Sequence, residues 1–243
     1  MEQPGESAIV IKNLRKIYTI GSSHVRALNR VDLTIPKGQI CCLLGPSGSG
    51  KSTLLNMIAG LEKPTTGTII VNGQHIETMG ENRLVVFRQK EMGFIFQSYN
   101  LLPALTALEN VALPLIFRGV SRRRRNKRAM DMLRMVGLER FARHKPTQMS
   151  GGQQQRVGIA RAFASGADII LADEPTGNLD SKTTARVMDL IVQMVRRRGQ
   201  TMIVVTHDQN IASYGDRIVR ILDGAVESDT LVAQNPLQTS EAL

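Results

Sequence analysis

Gly45-Pro46-Ser47-Gly48-Ser49-Gly50-Lys51-Ser52-Thr53 fits the pattern G-x-x-x-x-G-K-[ST]. Glycines at these places let backbone N–H groups turn inward and make a concave nest for an anion. A helix starting at the same point adds partial positive charge. In such a loop Lys51 reaches the β- and γ-phosphates of a nucleotide, and the Ser52 hydroxyl ligates Mg2+. The plainer reading is a Gly/Ser turn with a chance lysine. The apolar run Ile40–Leu44 before the loop and the helical spacing of Ser52–Leu61 after it argue against that reading.

Three further apolar runs end in polar groups. Ile169-Ile-Leu-Ala runs into Asp173 and Glu174. Neighbours on an extended chain point in opposite directions, so the two carboxylates need not share a task. Asp173 suits the shell of a Mg2+ ion, and Glu174 suits orienting and deprotonating water. Gly93-Phe-Ile-Phe ends in Gln97, a neutral oxygen donor for Mg2+ or water. Met202–Thr206 ends in His207, which could hydrogen-bond a γ-phosphate; a lone histidine there is more often a structural cap. In open α/β sheets ligands gather at the carboxyl ends of strands, so the convergence of the four runs outweighs each one taken singly. Ser150-Gly151-Gly152-Gln153 opens one more helix with small residues and a serine, a second anion cradle far from the first in sequence. One nucleotide has little use for two cradles in one chain. Two copies packed head to tail would let each cradle close over the phosphates held by the other. A serine cap with glycines for packing is the plainer alternative.

These residues need elements to hold them. Ala8–Ile17 and Ala27–Ile35 alternate apolar and polar residues, as half-exposed antiparallel strands do. Pro36-Lys37-Gly38 is a turn, and Thr68–Val71 before Asn72-Gly73 is a strand with its turn. From about Ser98 to Ser165 the spacing is helical, over Thr106–Phe117, Ser121–Val136 and Ser150–Ala164. Strands and helices then alternate: Asp168–Ala172, Ser181–Arg198, Thr201–Thr206, Gln209–Ser213, Arg217–Leu222. The pattern predicts an α/β fold with a mostly parallel sheet, an N-terminal antiparallel β part and an inserted helical part. Asp229–Leu243 is polar and aperiodic and is expected to be a loose tail.

The ordered set of Gly45–Thr53, Gln97, Ser150-Gly-Gly-Gln, Ile169–Glu174, Asn178-Leu-Asp180 and His207 resembles the ATPase subunit of ATP-binding-cassette (ABC) transporters, from about Ile9 to Gly224. The resemblance implies a P-loop NTPase fold in a single ATPase domain over 1–228. Its core would comprise 1–97 and 165–228, with a helical subdomain at 98–164 and the tail at 229–243. It implies ATP and Mg2+ as ligands, Tyr18 stacked on adenine, and Ser52, Gln97 and Asp173 around the metal. Glu174 would be the catalytic base and His207 the switch histidine. Ser150–Gln153 would contact the opposite subunit's γ-phosphate, and Asp180 would lie at a homodimer interface. Gln97 would link the metal to an integral-membrane permease. Met149 stands where leucine is usual, a volume-conserving change, and Asn178 where alanine is frequent. Glu174-Pro-Thr-Gly-Asn-Leu-Asp180, Phe94–Pro103 and Asn110-Val-Ala-Leu-Pro114 are similar to one branch, the stand-alone ATPases of lipoprotein-release, macrolide and peptide export, antimicrobial-peptide resistance and cell-division complexes.

Composition narrows the alternatives. The 243 residues are 42% hydrophobic, enough for a sizeable core. Cys41 and Cys42 are neighbours in an apolar run and read as buried thiols in a reducing compartment. The longest apolar runs are far shorter than the roughly 20 residues of a membrane span. The polar, acidic start is unlike a signal peptide, so the chain is expected to stay in the cytoplasm; the resemblance implies a place at the cytoplasmic face of the inner membrane, peripheral through the permease. The formal net charge is +10. Ser121–Arg128 carries six basic residues, read either as a solvated helix start or as a contact for anionic lipid. A nucleic-acid ATPase is the main rival. Against it stand a single cassette, no room between Lys51 and Asp173 for a long coiled coil, and few aromatics for stacking bases. A non-catalytic cassette is disfavoured because Glu174 and His207 are both present.

Overall fold

The structure is a computed structural model that describes residues 6–232. Strand β1 (Ser7–Ile20) and strand β2 (Ser23–Pro36) form a long hairpin, with Gly21 in the turn at φ +61°. Both strands outrun the expected apolar stretches, because the hairpin's distal half is exposed and has no core face to mark it. With β4 (Thr66–Val71) and β5 (Gln74–His75) they make an antiparallel sheet in the order β2-β1-β4-β5.

The second sheet holds β3 (Ile40–Leu44), β6 (Met92–Phe96), β7 (Ile169–Asp173), β8 (Thr201–Thr206), β9 (Arg217–Leu222) and β10 (Ala225–Leu231), ordered β10-β9-β3-β8-β7-β6. All its pairings are parallel except β9 with β10. Strand alternation divides its side chains between two cores. Cys42, Leu44, Ile170, Ala172, Met202 and Val204 face one core; Cys41, Leu43, Ile169, Leu171, Ile203 and Val205 face the other. The first is closed by α3 (Ala107–Phe117), α4 (Arg122–Met135), α5 (Gly151–Ala164) and α6 (Ser181–Arg198); the second by α1 (Lys51–Ile58) and the antiparallel sheet. A strand covered on both faces reads as an unbroken apolar run, which is why β3, β7 and β8 stand out in the sequence. Burial pushes the Cys41 thiol up to about 12 and that of Cys42 higher still; both are free.

Several expectations shift. Helix α2 (Glu81–Glu91) carries its apolar residues bunched at Leu84–Phe87, without helical spacing; it buries Leu84 and Phe87 and exposes Val86. The helix expected at Gln209–Ser213 is present as the short α7 (Gln209–Ala212) after β8. The stretch expected to be a loose tail from Asp229 instead opens as strand. β10 runs to Leu231, and Asp229 pairs with Val219 in register and holds Arg217 in an ion pair. Its outer residues are exposed, so an edge strand needs no apolar pattern there. The rest of that stretch, 233–243, lies outside the described residues.

Candidate active site

The parallel sheet carries the ends of β3, β6, β7 and β8 to one edge, which places Gly45, Gln97, Asp173/Glu174 and His207 along it. The loop from Gly45 to Gly50 needs its glycines. A Cβ on Gly45 would sit 2.2 Å from the Ile221 carbonyl oxygen; one on Gly50, whose φ is +100°, would sit 2.5 Å from that of Ala27. Gly50 also occupies the cap position of α1 without any side-chain cap, so the first-turn N–H groups have no partner within the helix. Pro46, Ser47 and Gly48 form the exposed rim, and Ser49 is buried beneath. Lys51 lies across the loop, donating to the Gly45 and Pro46 carbonyls at 2.7 Å each. Burial lowers its pKa, and the charges of Glu174 and Asp173 work the other way.

Ser52 donates to Asp173 Oδ1 at 3.2 Å and so ties α1 to the end of β7. Burial holds the Asp173 carboxyl above the ordinary aspartate range; the bond from Ser52 opposes this, Glu174 adds to it, and Lys51 opposes it. Glu174 leaves the strand at φ +45°, while its N–H donates to the Val205 carbonyl at 2.9 Å. Its Oε1 accepts from His207 N at 3.1 Å and Nδ1 at 2.6 Å, and its Oε2 only from Thr206 Oγ1 at 3.3 Å. Oε2 is therefore the oxygen with lone pairs to spare. With Nδ1–H given to the carboxylate, the histidine's Nε2 can donate to a phosphate oxygen only when the ring carries a second proton.

Gln97 is exposed at the end of β6. Its carbonyl accepts from Asn178 Nδ2 at 2.9 Å, and its side chain lies against Gly177, where an added Cβ would come within 2.7 Å of Nε2. Gly177 N in turn donates to the Glu174 carbonyl at 3.1 Å. The Gln97 loop is thus fastened to the turn that carries Glu174. In the sequence Asn178 stands out only as a departure from the family's frequent alanine, and neither Thr206 nor Glu62, which accepts the Tyr18 hydroxyl, carries a local signal of its part. Lys16 Nζ stands 4.9 Å from the Tyr18 ring centroid, and Asn56 of α1 donates to the same Glu62 at 3.1 Å, so the ring is held beside α1.

Ser150 accepts from Gln153 N at 3.3 Å, and Ser150 N donates to Gln153 Oε1 at 2.9 Å, a complete capping box. A Cβ on Gly151 would meet the Tyr99 hydroxyl at 2.9 Å. Ser150, Gly151 and Gly152 line an open cleft of about 620 Å³ together with Asn178, Asp180 and Arg186. Asp180 caps α6, accepting from Thr183 N at 3.0 Å, and that bond and the Thr183 hydroxyl hold its carboxyl low. Among the described residues no hydrogen bond or ion pair joins Ser150–Gln153 to the phosphate loop. The chain therefore gathers Lys51, Ser52, Asp173, Glu174 and His207 in one place, with Gln97 strapped alongside, and sets the second cradle in a cleft of its own. The apolar segment after Gln97 is only half exposed. Leu102 is open to solvent, whereas Leu101 packs on the helical core, so a double change at both positions would damage the fold.

Comparison with known proteins fits this geometry. The family model described as "ABC transporter" matches residues 28–177. The ABC transporter ATP-binding protein MJ0796 of Methanocaldococcus jannaschii is 49% identical over 225 residues, 91% of this chain and 96% of that protein. YtrE of Bacillus subtilis, another ABC transporter ATP-binding protein, is 45% identical over 92% of this chain and 99% of its own length. The macrolide export ATP-binding/permease protein MacB of Vibrio parahaemolyticus is 45% identical over 92% of this chain, which accounts for 34% of that longer protein. A solved dimeric structure of MJ0796 superposes with a TM-score of 0.87 at 48% identity, covering 93% of this chain and all of that one. A second, in a post-hydrolysis state bound to ADP and Pi, gives 0.85 at 46% with the same coverage. The chain belongs to the ABC transporter family, as an ATP-binding cassette that hydrolyses ATP.

Proposed function

We propose that this cassette powers a membrane permease which exports or extracts a lipoprotein, peptide or antibiotic, and that it does so as a head-to-tail pair closed around two ATP molecules at the cytoplasmic face. The observation that carries the chemistry is the placement of Glu174: fixed by His207 through one oxygen, open at the other, and two strands away from the phosphate loop in the sheet order β3-β8-β7. ATP lies with its phosphates in the nest of Gly45–Thr53 and its adenine on Tyr18. Lys51 turns from the loop carbonyls to the β- and γ-phosphates. Glu174 Oε2 takes a proton from water as the water oxygen attacks the γ-phosphorus, and the bond to the ADP oxygen breaks. Ser150–Gln153 of a second copy closes over the γ-phosphate, and Asp180 lies at that interface.

Mg2+ fits the residues present. The Ser52 hydroxyl and Asp173 carboxylate are hard oxygen donors 3.2 Å apart, and Gln97, whose side chain lies against Gly177, would supply a neutral amide oxygen on turning toward them. Among the described residues no group of three or more His, Cys, Asp or Glu gathers, as suits an ion held largely by phosphate oxygens and water. When bound it would neutralise charge on the phosphates.

The permease reading is supported by MacB, whose name joins the ATP-binding and permease functions in one protein. It is supported also by the exposed Leu102 beyond Gln97, an apolar contact beside a loop strapped to the catalytic turn. Among the described residues no helix is long and apolar enough to cross a membrane, so the transport path would come from a partner. The test of the catalytic assignment is Glu174→Gln. Nucleotide binding should persist while turnover falls by about 10²-fold or more. Near-wild-type steady-state turnover in that variant, assayed with the permease, would remove Glu174 from the role.

A further inference from the structure

The corner between α3 and α4 carries a charge pattern that folding does not favour. Residues 118–128 hold seven basic side chains and no acidic one. Four arginines, Arg122–Arg125, occupy the first turn of α4, where the helix dipole favours carboxylates, and Ser121 makes no side-chain cap there. Ala129 and Leu133 are the buried residues of α4. At 100° per residue, Arg123, Arg124, Lys127 and Arg128 form one stripe on the opposite side. All four are exposed, and among the described residues none lies within salt-bridge distance of a carboxylate. The nearest acid along the helix, Asp131, is engaged by Arg134 at 3.0 Å. Like charges three and four residues apart repel, so the stripe costs stability and gains no internal partner in return.

The same corner exposes apolar surface. Phe117, the last residue of α3, is 66% exposed and Ile116 is 40% exposed. Gly119, at φ +69°, turns the chain sharply between them and the stripe. An aromatic side chain left in water beside a row of unpaired cations suits the boundary of an anionic bilayer, where the ring enters the headgroup region and the cations meet phosphates. A folded nucleic acid would satisfy the cations and leave Phe117 and Ile116 without a partner.

We infer that the α3–α4 corner, through Arg123, Arg124, Lys127, Arg128 and Phe117, is a direct binding surface for anionic phospholipid, so that the cassette holds the membrane itself as well as any permease. This goes beyond the transport reading and can fail or stand without it. The test is sedimentation of the purified full chain with vesicles of phosphatidylcholine alone or mixed with phosphatidylglycerol. Binding should require phosphatidylglycerol and weaken steeply with added salt. Replacing the four basic residues together by Gln should lower vesicle affinity on the order of 10³-fold. Phe117→Ser should weaken it severalfold, and ATPase turnover of both variants should match wild type. Equal binding to both vesicle types, or unchanged affinity in the Gln variant, would overturn the inference. So would retention on RNA in preference to phosphatidylglycerol vesicles, which would assign the stripe to nucleic acid.

Discussion

Asp173 and Glu174 are adjacent, yet the structure gives them separate partners: Ser52 and the helix of the phosphate loop for one, His207 and Thr206 for the other. The first carries a measurable cost. Burial raises the Asp173 pKa in the folded chain, so the folded state binds its proton more tightly than the unfolded state does. The ionised carboxylate therefore opposes folding at neutral pH, and that penalty fades as pH falls through the raised folded value toward the ordinary 3.8. Asp173→Asn keeps an oxygen to accept from Ser52 and removes the charge. It should melt above wild type at pH 7 in nucleotide-free, metal-free buffer, with the gap closing as the buffer approaches pH 4, while Mg2+-dependent turnover is lost. A variant melting at or below wild type at pH 7 would show that attraction to Lys51 outweighs burial. Such groups are legible in a sequence because phosphate and water chemistry demand particular atoms at strand ends. Their supports are not. Asn178 reaches Gln97 across 81 positions, Tyr18 reaches Glu62 across 44, and Thr206 reaches Glu174 across 32. No local pattern announces bonds of that range.

At the scale of elements, legibility follows burial. Strands covered on both faces and helices with one apolar stripe announce themselves; α2, with its apolar residues in a block, and the exposed β10 do not. The same contrast governs the apolar, irregular segment Tyr99–Leu105 between β6 and α3. Asn110, fully buried on α3, fixes it: Oδ1 accepts from Leu102 N at 2.8 Å, and Nδ2 donates to the Leu102, Leu105 and Thr106 carbonyls at 3.1, 3.2 and 3.0 Å. Arg161 of α5 donates to the Tyr99 and Asn100 carbonyls, holding two consecutive residues at φ +60° and +48°. These bonds fasten the loop to both α3 and α5, as the proposed coupling of a permease to the Gln97 turn would require. Asn110→Ala takes away the partner of the Leu102 N–H and of the Leu105 carbonyl, while the Leu102 and Thr106 carbonyls keep their bonds from Leu105 N and Asn110 N, and it should cost about 1–3 kcal/mol. That is a fall in Tm of roughly 2–4 °C per kcal/mol for a chain of this size. Asn110→Asp should fare no better, because a carboxylate cannot donate to three carbonyls. Unchanged melting in the Ala variant would mean that water or a shifted loop replaces the amide.

Two helix starts in the molecule are proposed as anion cradles: one beside Lys51, Ser52, Asp173 and Glu174, the other a capped start in a separate cleft with Asp180 and Arg186. The α/β architecture, its helical insertion and the edge that collects the first cradle are legible in the chain's alternation. The second cradle is legible as well, but the surface expected to close it belongs to another copy of the chain. The dimeric MJ0796 structures show a relative sharing nearly half its residues and associating through its own copies. If the same closure operates here, blocking hydrolysis should trap it: the Glu174→Gln protein should run as a monomer without nucleotide and as a dimer with ATP on size-exclusion chromatography. Adding Ser150→Arg should abolish the shift, because a long cation fills the cradle. That change also removes the Ser150 side-chain cap, worth about 1 kcal/mol, so the control is Ser150→Ala in the same background. The alanine loses the cap without filling the space and should still dimerise, with at most weakened affinity. If the arginine protein dimerises as well as its parent, Ser150 does not face a second copy's nucleotide and the head-to-tail arrangement is wrong. If arginine and alanine both remain monomeric, the cap itself shapes the interface, and the dimer depends on the helix start rather than on open space above it.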